Sequence, residues 1–245
     1  NDFGTVNGSV SSSGVITLRD ANGIILGNLT AQASQGLNVT TNGSITQAAG
    51  SAIVVFGSRF DSTGYDITLD GSGNDFQSNI DTIATGANVT LIDSNALYLG
   101  NTTAGKLTAT ANGVIQDYGP INVTGTTTLA ATGNAITLDH PANDFGTVNT
   151  SGSAVTLVDA DGLTLGDTTA SSLSVTANGS ITQAAGSTIN VTGTTTLAAG
   201  SGNYITLTEA TNDFGTVNGS VTSSGAITLQ DANGIILGNM SAQAS

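Results

Sequence analysis

Residues 155–182 read Val-Thr-Leu-Val-Asp-Ala-Asp-Gly-Leu-Thr-Leu-Gly-Asp-Thr-Thr-Ala-Ser-Ser-Leu-Ser-Val-Thr-Ala-Asn-Gly-Ser-Ile-Thr, and this stretch decides the fold. It holds four short apolar bursts: Val155-Thr-Leu, Leu163-Thr-Leu, Leu173-Ser-Val and Ile181-Thr. Each alternates an aliphatic residue with Thr or Ser. Such a period of two puts the aliphatic side chains on one face of a strand and the hydroxyls on the other. Turn chemistry separates the bursts, at Asp161-Gly162 and Asn178-Gly179. The pattern continues outward through Ile189-Asn-Val, Thr196-Leu, Ile205-Thr-Leu and Gly215-Thr-Val. β-Branched residues dominate and no apolar stripe of helical period is sustained, so helix is excluded.

A longer period encloses this one. The triplet Asn-Asp-Phe begins at Asn1, Asn74, Asn143 and Asn212, spaced 73, 69 and 69 residues apart. Residues 212–245 repeat residues 1–34 with five differences: Ser11/Thr222, Val15/Ala226, Arg19/Gln230, Leu29/Met240 and Thr30/Ser241. The chain therefore reads as repeats 1–73, 74–142 and 143–211 with a partial copy at 212–245, one continuous β-solenoid fragment of something longer. Asn-Gly turns between alternating strands would ordinarily suggest antiparallel hairpins. Equivalent bursts from Ile16 to Ile227 instead recur at intervals averaging about 18 residues, close to one coil of a parallel β-helix. A propeller blade would be longer and carry a Trp-Asp signature, and Trp is absent. The expected fold is all-β: a right-handed parallel β-helix with about four coils per repeat.

Composition narrows the function. Only 8% of residues are charged, and 17 acids face three bases (Arg19, Arg59 and Lys106), for a net charge of −14. Nucleic acid needs a basic footprint that is missing here, and an anionic membrane surface would repel the chain. The apolar runs are too short to span a bilayer, so membrane insertion is not expected. Cys is absent, so neither a disulfide framework nor thiol chemistry is available.

Three strings carry a resemblance: Ala226-Ile-Thr-Leu-Gln-Asp-Ala-Asn-Gly-Ile-Ile-Leu-Gly-Asn239, Leu173-Ser-Val-Thr-Ala-Asn-Gly-Ser-Ile-Thr-Gln-Ala-Ala-Gly186 and Ile189-Asn-Val-Thr-Gly-Thr-Thr-Thr-Leu-Ala-Ala-Gly200. They are similar to the repeats of filamentous-haemagglutinin-like exoproteins, the large adhesins of two-partner secretion. The resemblance covers essentially the whole chain. It implies a right-handed parallel β-helix, export to the bacterial surface, and a structural role in adhesion or biofilm. The expected partners are a host or neighbouring cell surface, extracellular matrix or polysaccharide, neighbouring repeats, and laterally associated copies.

Several candidate sites follow the repeat. An acid closes many Ile-Thr-Leu strands: Asp20, Asp70, Asp93, Asp139, Asp159, Glu209 and Asp231. Stacking on neighbouring coils would pair Asp70 with Asp93, Asp139 with Asp159 and Glu209 with Asp231. With Asp161 and the turn carbonyls, these acids could hold Ca²⁺, the one cofactor the sequence suggests; solvated turn carboxylates are the plainer alternative. Neither the EF-hand pattern nor the calcium-binding nonapeptide occurs. Phe3, Phe76, Phe145 and Phe214 are expected to fill the interior, with the triplet's Asp in an Asx turn. Thr126–Thr128 and Thr194–Thr196 are the only dense Thr arrays, and Asn-x-Ser/Thr sequons are scattered along the chain. Residues 53–66 depart most from the repeat and gather Phe56, Arg59, Phe60 and Tyr65, a candidate partner-binding surface. His140 precedes Pro141 without a Ser or Cys partner motif, and the acids follow the repeat rather than a unique cleft. No enzyme is expected.

Overall fold

The computed structural model describes residues 1–11, 14–31 and 36–242. Among them are 24 strands and no helix. The pairings that set the register are parallel, each joining one coil to the next. The chain forms two compact units, Asn1–Gly125 and Thr126–Ser245, and each is a β-solenoid.

In the first unit, one column of inward residues stacks Ile24, Ile45, Ile67, Val89 and Leu107. A second stacks Ile16, Leu37, Ser58, Ile80 and Leu99. A third pairs Leu29 with Ile53 and Val55 with Phe76. The second unit repeats the scheme, with columns Ile136, Val155, Leu173, Thr195 and Val217, and Leu163, Ile181, Ile205 and Ile227. Their aliphatic members are almost all sealed from solvent, so like packs on like and the hydrophobic gain accrues coil by coil. Phe76, Phe145 and Phe214 are buried as expected, whereas Phe3 is 37% exposed.

Coil length runs from 17 residues (Thr147 to Thr164) to 24 (Ile181 to Ile205). A repeat of 69 residues therefore takes a little over three coils, fewer than about four, because the interval of about 18 pooled bursts from different columns. Equivalent residues consequently change column. Ile136 and Ile205 are one repeat apart yet stand in different columns of the second unit, as Ile16 and Val89 do in the first.

The corner after each Leu-Gly-Asn or Leu-Gly-Asp is a β-bulge. Val6 pairs with Leu26 but Gly8 with Leu29, so two residues of one coil face three of the next. The same step occurs at Ile80/Leu99, Val148/Leu165 and Val217/Leu237. The residue left unpaired would lose its backbone acceptor, and a side chain from the preceding coil supplies one. The N–H groups of Asn28, Asn101, Asp167 and Asn239 donate to the Oδ1 atoms of Asn7, Asp81, Asn149 and Asn218 at 2.7–2.9 Å. Those oxygens fill the space where a Cβ would sit on Gly27, Gly100, Gly166 and Gly238, so glycine is required there by contact rather than by φ.

The Thr runs are split by the same alternation. Thr127 and Thr195 point inward, fully buried and with no hydrogen-bond partner for the hydroxyl, while Thr128, Thr194 and Thr196 are exposed. The runs are thus not flat Thr arrays.

Two consequences can be measured by thermal unfolding. Gly100→Ala should cost about 1–3 kcal/mol by displacing the Asp81 carboxylate and orphaning the Asn101 N–H, and should be less than additive with Asp81→Ala. Thr195→Val removes an unsatisfied hydroxyl at nearly constant volume and should raise stability by about 1 kcal/mol; a lower midpoint would mean that the hydroxyl has a partner.

Candidate functional site

The acids that end the strands divide by strand parity. In Ile16-Thr-Leu-Arg-Asp20 the last residue shares the inward face of Ile16 and Leu18, and Asp93, Asp159 and Asp231 follow the same count. Each of the four clamps two coils together. One oxygen accepts the N–H of the Phe in Asn-Asp-Phe on the preceding coil: Phe3 to Asp20 at 2.7 Å, Phe76 to Asp93 at 2.8 Å, Phe145 to Asp159 at 2.9 Å and Phe214 to Asp231 at 2.7 Å. The other oxygen accepts the N–H two residues on, from Asn22, Asn95, Asp161 and Asn233 at 2.7–3.0 Å. The Asx geometry expected of the triplet's own Asp thus belongs to the acid of the next coil.

The expected carboxylate pairs mostly do not form. Leu69 pairs with Leu91, which puts Asp70 opposite Ile92, one step short of Asp93. Leu138 pairs with Leu157, so Asp139 faces Val158 rather than Asp159. Asp70 and Asp139 are exposed, whereas Asp93 and Asp159 are 1% exposed, so the members of each expected pair lie on opposite faces of the strand. Glu209 and Asp231 both lie two residues past the Leu207–Leu229 pair, but Asp231 is engaged by backbone N–H groups. Among the described residues, no group of three or more His, Asp and Glu side chains is placed to hold a metal ion.

Burial and hydrogen bonding pull these carboxyls in opposite directions. Burial dominates at Asp93 and Asp159 and raises both to about 6 despite their N–H bonds, with the neighbouring Asp161 adding to the rise at Asp159. At Asp20 the N–H bonds from Phe3 and Asn22 hold the carboxyl below its ordinary value. Burial opposes ionisation of Asp231, but donors from Phe214, Asn233 and Gly234 outweigh it and lower its pKa.

The triplet's Asn was not singled out by the sequence, yet it is fully buried in three copies, Asn74, Asn143 and Asn212. Asn74 exchanges a pair of amide hydrogen bonds with Gln47, at 2.7 and 2.9 Å, and its Oδ1 also accepts the Ile53 N–H. Asn212 does the same with Gln183 and Ile189. The recurrence of Ile-Thr-Gln-Ala-Ala-Gly-Ser at 45–51 and 181–187 was the available signal. His140 takes part in a turn, where its Nδ1 accepts the Ala142 N–H.

The aromatic group at 53–66 is partly separated. Phe60 is fully buried and meets Phe76 edge to face at 6.3 Å, so it belongs to the core. Phe56 is 40% exposed and lines a surface depression together with Arg59, whose guanidinium pairs with Asp61 at 3.0 Å. Tyr65 is exposed at a turn and is not among the residues lining that depression. The depression continues past Ser78 and Asn79 to Tyr98 and Tyr118, which the sequence reading did not select.

Parallel coils, repeated bulges and repeated carboxylate clamps define a β-solenoid repeat protein. Residues 13–83, 86–151 and 152–221 each match the repeats of unknown function DUF5649, and the chain belongs to that family. No curated protein and no solved structure matches it.

Asp93→Ala should orphan two N–H groups and cost about 2–5 kcal/mol, whereas Asp70→Ala should change stability by less than about 0.5 kcal/mol. The pH dependence has a definite sign. With folded values near 6 and an ordinary value of 3.8, Asp93 and Asp159 bind protons in the folded state first. Their contribution to stability is therefore present in full below the ordinary carboxylate range and is lost as pH rises through about 6. The melting midpoint should rise from neutral pH to about pH 4–5, and Asp93→Asn should flatten that rise. Below that range Asp20 and Asp231, whose values are lowered, work the other way.

Proposed function

We propose that this chain is a length of shaft from a secreted or cell-surface bacterial adhesin of the filamentous-haemagglutinin type, exported by two-partner secretion, and that it carries no catalytic activity. The carrying observation is the use of the acids. The carboxylates at 20, 93, 159 and 231 recur once per repeat, and each is committed to backbone N–H donors that tie coil to coil. A hydrolytic site built from paired carboxylates would need them free and facing one cleft. Here they recur with the repeat and move from column to column. A low charge content and an interior of stacked aliphatic residues suit a spacer whose length scales with repeat number. The three strings similar to exoprotein repeats supply the adhesin reading.

Antibodies raised against the chain should label intact cells of the bacterium that makes it, without permeabilisation. Labelling that appears only after lysis would overturn the surface assignment. Deleting one whole repeat, residues 74–142, from the parent protein should leave a folded β-rich product with a similar melting midpoint, as a modular shaft requires.

A further inference from the structure

We propose that the first unit carries a binding strip for a neutral polysaccharide, centred on Phe56, Tyr98 and Tyr118. Four departures from the repeat carry the inference. Phe56 follows Ile53-Val-Val where the equivalent positions in the later copies are Thr124 and Thr192. Tyr98 stands where the other copies have Ile25, Thr164 and Ile236, and Tyr118 stands where they have Ala48 and Ala184. The Gly-Thr-Val that follows Asn-Asp-Phe elsewhere is replaced by Gln77-Ser78-Asn79-Ile80, one residue longer. These four changes lie at different places in the repeat, so nothing in the repeat itself would gather them.

The fold gathers them. Ser58 pairs with Ile80 and Ile80 with Leu99, which sets Asn79 beside Gly57 on one side and Tyr98 on the other. Leu99 pairs with Asp117, which brings Tyr118 onto the next coil, and the rings of Tyr98 and Tyr118 meet at 5.4 Å and a 53° tilt. A depression of about 500 Å³ is lined by Gln77, Ser78, Asn79 and the two tyrosines. It adjoins, through Ser78 and Asn79, a second of about 380 Å³ that contains Phe56, Arg59 and Asn38. Tyr118 is 67% exposed and Phe56 40%, in a chain with only ten aromatic residues, most of the Phe being interior.

Chemistry selects the ligand class. The exposed rings of Phe56 and Tyr118, with the half-buried Tyr98 between them, offer flat apolar faces, and amides and hydroxyls beside them offer both donors and acceptors. A sugar ring has an apolar C–H face and a polar hydroxyl edge, which is the complement. From the coil of Phe56 to that of Tyr98 is two coil rises, about 10 Å, so the strip matches a ligand that is itself a linear chain of rings. Asp81 and Asp61 flank it and the chain's net charge is −14, which disfavours acidic polysaccharides and nucleic acid. The proposal stands apart from the export route and from the shaft assignment.

The test is titration of the whole chain with cellohexaose, laminarihexaose, maltohexaose and chitohexaose, read by calorimetry and by tyrosine fluorescence, with heparin as the acidic probe. Saturable binding of at least one neutral hexasaccharide is expected. It should weaken by about tenfold or more in Tyr98→Ala/Tyr118→Ala and persist in Tyr204→Ala. Gln77→Ala/Asn79→Ala, which leaves the rings in place, should also weaken binding and serves if the tyrosine variant fails to fold. No binding of any neutral sugar, binding indifferent to these changes, or binding of heparin or of a protein partner alone would overturn the proposal.

Discussion

A carboxylate that accepts one N–H from its own turn and one from the coil beneath it is the constraint on which the rest of this structure depends. A parallel solenoid gains stability only between neighbouring coils, so it needs directional contacts between coils to fix rotation and rise. Aliphatic columns cannot do this alone, since hydrophobic contact is non-directional and a strand slipped by two residues would bury nearly the same surface. The Asp clamp is directional. One oxygen holds the Phe of Asn-Asp-Phe at a set height while the other holds the acid's own turn, and in Phe76, Phe145 and Phe214 the ring then fills the interior beside its clamp. Asn74 and Asn212, paired with Gln47 and Gln183, close the same corner from the inside. Leaving those amides unpaired in a dry interior would cost more than the pairing gains, so the motif favours one register strongly over its neighbours.

Much of the fold could be read from the chain. Alternation gave the inward residues, the Asn-Asp-Phe spacing gave the repeat, and the absence of helix followed from β-branching. Parity was also in the sequence, and it separates the acids. An acid one residue after Ile-Thr-Leu, such as Asp70, points out; an acid two residues after, such as Asp93, points in. Treating both as equivalent turn residues produced the expected Asp70–Asp93 and Asp139–Asp159 stacks that the register does not form. The bulge at Leu-Gly-Asn was harder to see. Its logic involves an Asn one coil earlier, about 20 residues upstream, and only the pairing shows that Asn7 faces Gly27 and Asn28.

The coil length has a further effect on what repeated sequence can build. Because the repeat is not a whole number of coils, each copy of a motif moves to another column. Within each unit, a residue repeated in successive copies therefore stands in different columns rather than stacked along one face. This suits a clamp, since reinforcement reaches more than one corner. It would be a poor way to build a ligand ladder, which needs like groups in line.

A surface site on such a scaffold therefore has to come from breaking the repeat at different positions on adjacent coils. Phe56, the Gln77–Ile80 insertion, Tyr98 and Tyr118 satisfy that requirement, falling on four successive coils of the first unit. Drift alone would scatter its substitutions over all three columns and over both faces of the strands. Phe60 shows the contrast: it lies four residues from Phe56 in the same divergent segment, yet it turned inward and became core. The backbone is stabilised by groups that recur, so positions outside the clamps and bulges are left free to vary. The solenoid can then carry a local site without weakening the ladder beneath it.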